Sequence, residues 1–164
     1  MPRALVPILN TILFTILVPG TVAGYIPYRL ADRFTHRTSG PLEWISIAVI
    51  ALGAAIYFRC AWEFAMRGLG TPAPIAPTKF LVTTALHRYI RNPMYVGVAL
   101  VIVGEAALFH SLHVLEYAAL MLTAAHTFVV LYEEPALRRQ FGESYEQYCR
   151  TVPRWIPKFP SGNK

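Results

Sequence analysis

Long apolar stretches separated by short polar segments dominate this chain. A helix that crosses about 30 Å of hydrocarbon at about 1.5 Å per residue needs roughly 20 mostly apolar residues. Four stretches approach that length and predict membrane helices at residues 4–26, 42–66, 93–109 and 112–132. The third stretch is short for a full span. The pattern therefore predicts an all-α, polytopic membrane protein with about four transmembrane helices.

The connections between these stretches add detail. Only His110 and Ser111 separate the last two, which predicts a tight C-terminal helical hairpin. From residue 135 to residue 150 the chain is polar, with apolar or aromatic side chains recurring at helical spacing. This pattern predicts an interfacial helix on the cytoplasmic surface of the membrane. Its apolar stripe comprises Leu137, Phe141, Tyr145 and Tyr148.

Small residues indicate where helices approach each other. Ala51 and Ala55 offer a small-residue face on the second stretch, and Gly97 and Gly104 share a face on the third. Pro19 should kink the first helix locally, which neighbouring helices tolerate in a membrane. We therefore expect close helix packing around the second and third stretches.

Composition supports a membrane location. Of the 164 residues, 55% are hydrophobic and only 15% are charged, which exceeds what a soluble core of this size requires. The net charge of +6 would suggest nucleic acid in a soluble protein, but no groove-binding motif accompanies it, so no nucleic-acid partner is expected. The two cysteines, Cys60 and Cys149, have neither disulfide-framework nor metal-ligand spacing, so we expect free thiols and no metal.

The basic residues predict an orientation. With four spans, twelve Lys and Arg residues fall on the side that holds both termini and the central loop, and three fall on the other. The positive-inside rule then places both termini in the cytoplasm. Three spans, or a re-entrant hairpin, would also keep the central loop and the tail on one side. The uncharged N-terminal stretch has no small-residue cleavage site and is interpreted as a retained helix.

Two segments concentrate polar and aromatic residues that topology brings together. One covers residues 81–97 and the other residues 131–157. A hairpin returns Glu133 and Glu134 to the membrane depth at which the third helix begins. We therefore expect a pocket at the cytoplasmic interface that combines carboxylates, arginines and an aromatic ring.

The motifs in these segments occur in a specific order: Arg91-Asn-Pro-Met-Tyr95, Gly97, Glu133-Glu134, Phe141-Gly142, Tyr145 and Val152-Pro153. In this order the chain resembles the integral membrane methyltransferases that include isoprenylcysteine carboxyl methyltransferase and phosphatidylethanolamine N-methyltransferase. The resemblance extends from the Gly/Pro-rich loop to Pro157. It implies one integral membrane domain over residues 1–164, with N-terminal helices at 1–66 and a cofactor-binding core at 67–157.

The resemblance implies S-adenosylmethionine as the cofactor and a lipophilic or lipid acceptor that enters from the bilayer. Carried over position by position, it predicts a cofactor site made of Leu81, Val82, His87, Arg91, Asn92, Pro93, Met94, Tyr95, Glu133 and Glu134. Gly68 and Gly70 correspond to an upstream Gly-x-Gly of the phospholipid branch. Two positions depart from the family: His87 replaces the usual tyrosine, and Val129 replaces an arginine that addresses the prenylcysteine acceptor. No catalytic residue is assigned.

The side-chain chemistry agrees with this cofactor. Glu133 or Glu134 suits its ammonium or ribose hydroxyls, and Arg88 or Arg91 suits its carboxylate through a charge-assisted pair. The ring of Tyr95 or of His87 can lie against adenine. Tyr95 can alternatively lie near the sulfonium as a cation–π partner. Methyl transfer then depends mainly on alignment of donor and acceptor and on exclusion of water.

Each motif also has a simpler interpretation. Asn92-Pro93 is a common helix start, and Glu133-Glu134 suits the first turn of a helix. Glu105, Glu116 and His126 lie in apolar sequence. An acid within a membrane helix suggests a function, but near the hairpin tip both acids can also reach water or His110 and His113. His126 either faces the cavity or has a hydrogen-bonded packing role. Two competing functions stay open: a non-enzymatic membrane scaffold or sensor with a methyltransferase-like fold, and a reductase that uses a nicotinamide cofactor.

Overall fold

A computed structural model describes residues 2–31, 40–68 and 80–158, with side chains from residue 8 onward and not at 67–68. All regular secondary structure in these ranges is helical, so the all-α prediction is confirmed. Most of the polar connector before the second span and most of the Gly/Pro-rich loop, with Gly70, lie outside the described residues.

Seven α-helices are described along the chain. They are α1 (Pro2–Leu17), α2 (Ile26–Leu30), α3 (Pro41–Glu63), α4 (Pro93–Leu108), α5 (Leu112–Phe128), α6 (Glu134–Phe141) and α7 (Glu143–Thr151). Wider π-helical turns continue several of them, at Thr21–Tyr25, Phe64–Gly68 and Val129–Glu133, and a short 3-10 helix lies at Ala85–Arg88. The turn that follows Pro19 accords with the kink expected there, because proline lacks the N–H that an α-helical turn would use.

Three helices within the described ranges are long and apolar enough to cross a membrane: Ile8–Leu30, Pro41–Met66 and Leu112–Phe141. The fourth apolar helix, α4, has 16 residues and is shorter than a full span. The described structure therefore has three to four helices that are apolar enough to span a membrane, as the hydrophobic pattern predicts.

The tightest helix contact joins α3 and α4 through glycines. A Cβ added to Gly53 would lie 2.5 Å from the Gly97 carbonyl oxygen, and one added to Gly97 would lie 2.8 Å from the Gly53 carbonyl oxygen. The expectation for Gly97 therefore holds, with α3 as the partner helix. The expectation for Ala51 and Ala55 is wrong, since both are exposed and the face of α3 toward α4 is the one that carries Gly53.

The turn between α4 and α5 is short. Ser111 precedes α5 and its side chain accepts a hydrogen bond from the Val114 backbone N–H at 3.4 Å, as an N-cap residue does. Ile102 and Val114 pack together in the core between the two helices. At this end of the molecule, the Tyr117 hydroxyl donates to the Val22 carbonyl oxygen at 2.9 Å and ties α5 to the first span.

The last long helix does not stop at Pro135. It continues through the π-helical turn at Val129–Glu133 into α6 and ends only at Gly142, whose φ of 54° favours glycine. The wider turn accommodates Pro135, which cannot donate a backbone hydrogen bond. The polar segment at 135–150 is therefore divided at Gly142 rather than continuous. Its location on the membrane surface stays a prediction.

Candidate functional site

A cavity of about 840 Å³ lies between α1, α4 and α5. Its lining changes character from one end to the other. At the polar end are His87, Arg91, Asn92, Tyr95 and Glu133, with Tyr57 and Phe64 from the α3 side. The apolar end is lined by Leu13, Phe14, Leu17, Val18, Val22, Val98, Ala99, Ile102, Ala118, Met121, Leu122, Ala125 and Phe128. A single space thus joins a polar corner to an apolar slot.

The polar corner begins where the chain enters α4. Pro93 occupies the first turn, where a missing N–H costs no intrahelical bond. Asn92 is buried, and instead of capping the helix its side chain donates to the Arg154 carbonyl oxygen at 3.2 Å. The backbone N–H of Arg91 donates to the Pro153 carbonyl oxygen at 2.9 Å. The start of α4 is therefore fixed by the segment that follows α7.

Tyr95 and Glu133 meet across the corner. The Tyr95 hydroxyl donates to Glu133 Oε2 at 2.9 Å, over 38 residues of sequence separation. Both side chains line the cavity. A hydrogen bond between a phenol and a carboxylate is charge-assisted, and it fixes the orientation of both groups.

Glu134 has a different environment from its neighbour. Its side chain is only 4% exposed and accepts a two-pronged contact from Arg154, with Nε at 2.6 Å and Nη2 at 3.0 Å. Arg91 Nη1 lies 3.1 Å from the same carboxylate, and Arg138 lies 3.9 Å away. Planar guanidinium groups match carboxylates in this bidentate geometry. Hydrogen bonding to Glu134 raises the pKa of Arg154, so that arginine stays charged.

His87 is buried at the end of the cavity that adjoins α3. It is 4% exposed, and its ring meets Phe64 edge-on with ring centroids 5.3 Å apart. Its backbone carbonyl oxygen accepts a 2.6 Å hydrogen bond from the Tyr148 hydroxyl. Burial lowers the pKa of His87 to about 4, although nearby Glu63 opposes the shift. The imidazole is therefore neutral at physiological pH.

Glu63 connects α3 to the segment before the 3-10 helix. Arg59 Nη1 lies 2.6 Å from Glu63 Oε1, an ion pair between residues four apart on one helix. The Thr84 hydroxyl donates to Glu63 Oε2 at 2.9 Å. These bonds hold the backbone that leads to His87 against the C-terminal end of α3.

Trp155 bridges α4 and α5 at the edge of the corner. Its indole N–H donates to His126 Nδ1 at 3.0 Å, and its ring packs edge-on against Tyr95 at 6.3 Å. His126 thus has the hydrogen-bonded packing role that its place in apolar sequence suggested. Trp155 thus contacts residues of both helices beside the cavity.

The structure brings most of the predicted cofactor residues together. Seven of them line the cavity: His87, Arg91, Asn92, Pro93, Met94, Tyr95 and Glu133. Leu81, Val82 and Glu134 do not line it in the described part of the chain. Val82 is buried, and Leu81 is half-buried, in the segment before the 3-10 helix. Arg88 is exposed, with its guanidinium 5.1 Å from the Tyr89 ring centroid, so Arg91 is the arginine at the cavity.

Several lining residues were not predicted. Asn10 and Phe14 come from α1, and Tyr57 comes from α3, all outside the predicted core. Their sequence context is uniformly apolar, and only the rotation of each helix in the fold decides which side chains face inward. Arg154 was also missed, although its segment was expected nearby, because arginines close to a membrane are usually interpreted as surface anchors.

The comparisons with known proteins agree with this architecture. The phospholipid methyltransferase family model matches residues 42–144. Protein-S-isoprenylcysteine O-methyltransferase from Schizosaccharomyces pombe is 35% identical over 80 residues, which are 49% of this chain and 34% of that protein. The chain therefore matches about a third of the length of that relative. Since the family model covers more than half of the chain, from α3 to the start of α7, the chain belongs to the phospholipid methyltransferase family.

Proposed function

We propose that this protein transfers a methyl group from S-adenosylmethionine to a lipophilic acceptor drawn from the bilayer. The observation that carries the proposal is the single cavity that joins the polar corner to the apolar slot. Its volume falls within the range of about 300–1,000 Å³ that is usual for small-molecule sites. Family membership supports methyl transfer as the reaction class.

The polar corner fits the cofactor chemically. Within the described ranges, His87 Nδ1 and Arg91 Nε are buried without hydrogen-bond partners, and both residues line the cavity. Buried polar atoms normally have partners, so unpaired ones beside a cavity point to a ligand. When bound, S-adenosylmethionine supplies a methyl group activated by the positive sulfonium.

Each polar residue then has a role in binding. Arg91 receives the cofactor carboxylate through a charge-assisted pair, and Glu133 accepts from its ammonium or ribose hydroxyls. Tyr95 orients Glu133 through their 2.9 Å hydrogen bond. His87, neutral because it is buried, accepts a hydrogen bond from a donor group of the nucleoside through Nδ1. These residues bind and align; none of them has to act as a strong base.

The apolar slot supports a lipophilic acceptor. Leu13, Leu17 and Leu122 line the cavity and are strongly exposed, so the slot is open on the side of α1 and α5. In a membrane this opening would face lipid, so an apolar chain can enter sideways between the two helices. The Schizosaccharomyces pombe relative is named for an isoprenylcysteine acceptor. Since Val129 replaces the acceptor arginine here, we extend only the lipophilic class to this chain.

We also propose that the polar corner faces the cytoplasm. The support is the charge distribution: Arg88, Arg91, Arg138, Arg154 and Lys158 cluster at this end of the described structure. The positive-inside rule favours such clusters on the cytoplasmic side. Labelling of single cysteines placed at Arg139 and at Arg29 with an impermeant maleimide, in sealed vesicles, tests this orientation.

Calorimetry in detergent with S-adenosylhomocysteine tests the cofactor site. We expect binding by the wild-type protein and strongly weakened binding by Glu133→Ala. The matched control is Glu143→Ala, which removes an exposed acid at the start of α7 and should bind as the wild type does. A folded wild-type protein that does not bind would contradict the proposal.

The acceptor is identified by transfer of a labelled methyl group into total lipid extract, followed by mass spectrometry of the product. We expect label in an apolar product. Absence of any turnover together with stable copurification of one partner would instead favour a non-enzymatic membrane scaffold.

A further inference from the structure

The two adjacent acids at the end of the π-helical turn face different surroundings. Glu133 lines the cavity, whereas Glu134 is buried away from it and both of its carboxylate oxygens contact arginines of the protein. A carboxylate that already accepts a bidentate guanidinium has little capacity left for a ligand. The sequence assigned both acids to the cofactor, and the geometry separates them.

Arg154 belongs to a segment that crosses the entrance to α4. We call residues 152–158 the C-terminal strap. Its backbone bonds twice to the chain before α4: the Arg91 N–H donates to the Pro153 carbonyl oxygen at 2.9 Å, and the Lys158 N–H donates to the Tyr89 carbonyl oxygen at 3.0 Å. The strap is thus held on one side by backbone bonds and on the other by the contact between Arg154 and Glu134.

Arg91 stands between the strap and the cavity. Its Nη1 contacts Glu134 at 3.1 Å and the Cys149 sulfur at 2.8 Å, and its Nε is buried without a partner in the described structure. Three guanidinium groups, those of Arg91, Arg138 and Arg154, surround one Glu134 carboxylate. Arg138 has a second partner in Glu146 at 2.8 Å. The positive charge of Arg91 is therefore incompletely balanced on the side that faces the cavity.

We propose that Glu134 and Arg154 are positioning residues: together they hold the Arg91 guanidinium so that it can receive an anionic group of a ligand in the cavity. The inference rests on the proposed function and assigns Glu134 to the protein rather than to the cofactor. Arg154 saturates Glu134 and prevents it from taking the full charge of Arg91. The anionic group is either the carboxylate of the cofactor or an acidic headgroup of the acceptor.

The test measures discrimination between ligands rather than affinity alone. Calorimetry on the full chain in detergent compares S-adenosylhomocysteine with its decarboxylated analogue. The variants are Arg154→Ala, Arg154→Lys and Glu134→Gln, with Arg139→Ala as an exposed control of equal charge change. We expect Arg154→Ala to reduce the preference for the carboxylated ligand about tenfold, as coupled charge contacts do when one partner is lost. Arg154→Lys should restore it only in part, because an ammonium lacks the guanidinium fork.

A second arm covers the other source of the anion. If the wild type binds both adenosyl ligands equally, binding of dioleoyl phosphatidic acid and of dioleoylglycerol in micelles is compared by quenching of tryptophan fluorescence. The preference for the phosphate-bearing lipid should then fall in Arg154→Ala and Glu134→Gln. Circular dichroism and gel filtration of each variant verify that it is folded.

The outcomes separate the two proposals. The inference is overturned if the variants weaken the binding of both ligands of a pair equally, or if they behave like Arg139→Ala in both arms. The cofactor assignment then still stands. A folded wild-type protein that binds neither adenosyl ligand overturns the proposed function, and this inference with it. If Arg154→Ala does not fold, Arg154→Lys and Glu134→Gln take its place. A reduced preference for the anionic ligand in both supports the inference, and an unchanged preference in both overturns it.

Discussion

The two ends of the cavity are built in different ways. At the polar end, hydrogen bonds between 2.6 and 3.2 Å join the start of α4 to the C-terminal strap, Tyr95 to Glu133, and Arg154 to Glu134. At the apolar end, α1 and α5 present exposed leucines, and the polar links of α1 and its extension are the hydrogen bonds between Thr15 and Tyr57 and from Tyr117 to Val22. Directional bonds fix positions, whereas apolar contacts tolerate changes of shape.

This difference suggests a division of labour. A corner whose side chains are fixed by directional bonds suits one invariant ligand, such as a cofactor. A slot bounded by exposed aliphatic side chains suits a class of lipophilic molecules that differ in length or branching. We expect substitutions at the polar end to act on cofactor binding and substitutions at the apolar end to act on acceptor choice.

The largest effect should come from a change in α4, because residues of this helix line both ends of the cavity. Gly97→Ala places a Cβ 2.8 Å from the Gly53 carbonyl oxygen, so the helices have to separate. We expect a loss of about 3 kcal/mol in stability, at the upper end of typical overpacking costs, and weaker binding of both ligands. Thermal unfolding in detergent measures the change. Gly24→Ala, at a position open on all sides, is the control, and equal melting of the two variants would contradict the packing argument.

A smaller and more selective effect is expected for Tyr95→Phe. This change removes only the hydroxyl that donates to Glu133. Hydrogen bonds to charged groups are worth about 1.5–3 kcal/mol, so cofactor affinity should fall at least about tenfold. The KM of the acceptor should stay nearly unchanged. Steady-state kinetics with both substrates varied measures both effects. An effect on the acceptor KM as large as the effect on the cofactor would contradict the assignment of Tyr95 to the polar end alone.

The reverse selectivity is expected for Ala99→Trp, which fills part of the apolar slot. The KM of a long-chain acceptor should rise about tenfold, the usual order for steric exclusion from a hydrophobic pocket, while the cofactor Kd stays the same. Ala119→Trp, on the exposed face of α5, is the matched control. A change in cofactor Kd with no change in acceptor KM would show that the two ends have been assigned the wrong way round.

The smallest effect concerns pH. His87 has a folded-state pKa of about 4, below its ordinary value of about 6.5, so the unfolded chain binds a proton that the folded chain resists. The contribution of His87 to the free energy of unfolding is therefore fully present above pH 6.5 and is lost as the pH falls toward 4. Lowering the pH from 7.5 to 5.5 should cost about 1.4 kcal/mol from this group. Thermal melts of wild type and His87→Phe across this range measure the difference, and parallel curves would exclude His87 as the source.

Much of the fold follows from hydrophobic patterning alone. The apolar stretches predict the second and third helices to within a residue or two, whereas the last helix continues nine residues past the predicted end at 132, to Phe141. The face that each helix turns toward its neighbour does not follow as simply. Ala51 and Ala55 looked suitable for close packing, but a pair of alanines two residues from Gly53 points to another side of α3, and glycine permits the closer approach.

The candidate site shows the same limit at the level of single side chains. Order and spacing identified the corner from Arg91 to Tyr95 and the acidic pair, and the structure brings them into contact. Nothing in the spacing distinguishes Glu133 from Glu134, because neighbouring residues on a helix differ only in direction. That distinction depends on where Arg154 lies, and its partner is 20 residues away in sequence and beyond a glycine turn.

The C-terminal strap has a consequence for biosynthesis. Residues 152–158 are translated after all the spanning helices of the described structure. Until they emerge from the ribosome, Asn92 lacks the carbonyl oxygen of Arg154 and Glu134 lacks its guanidinium. Completion of the polar corner is therefore a late event in the synthesis of the chain.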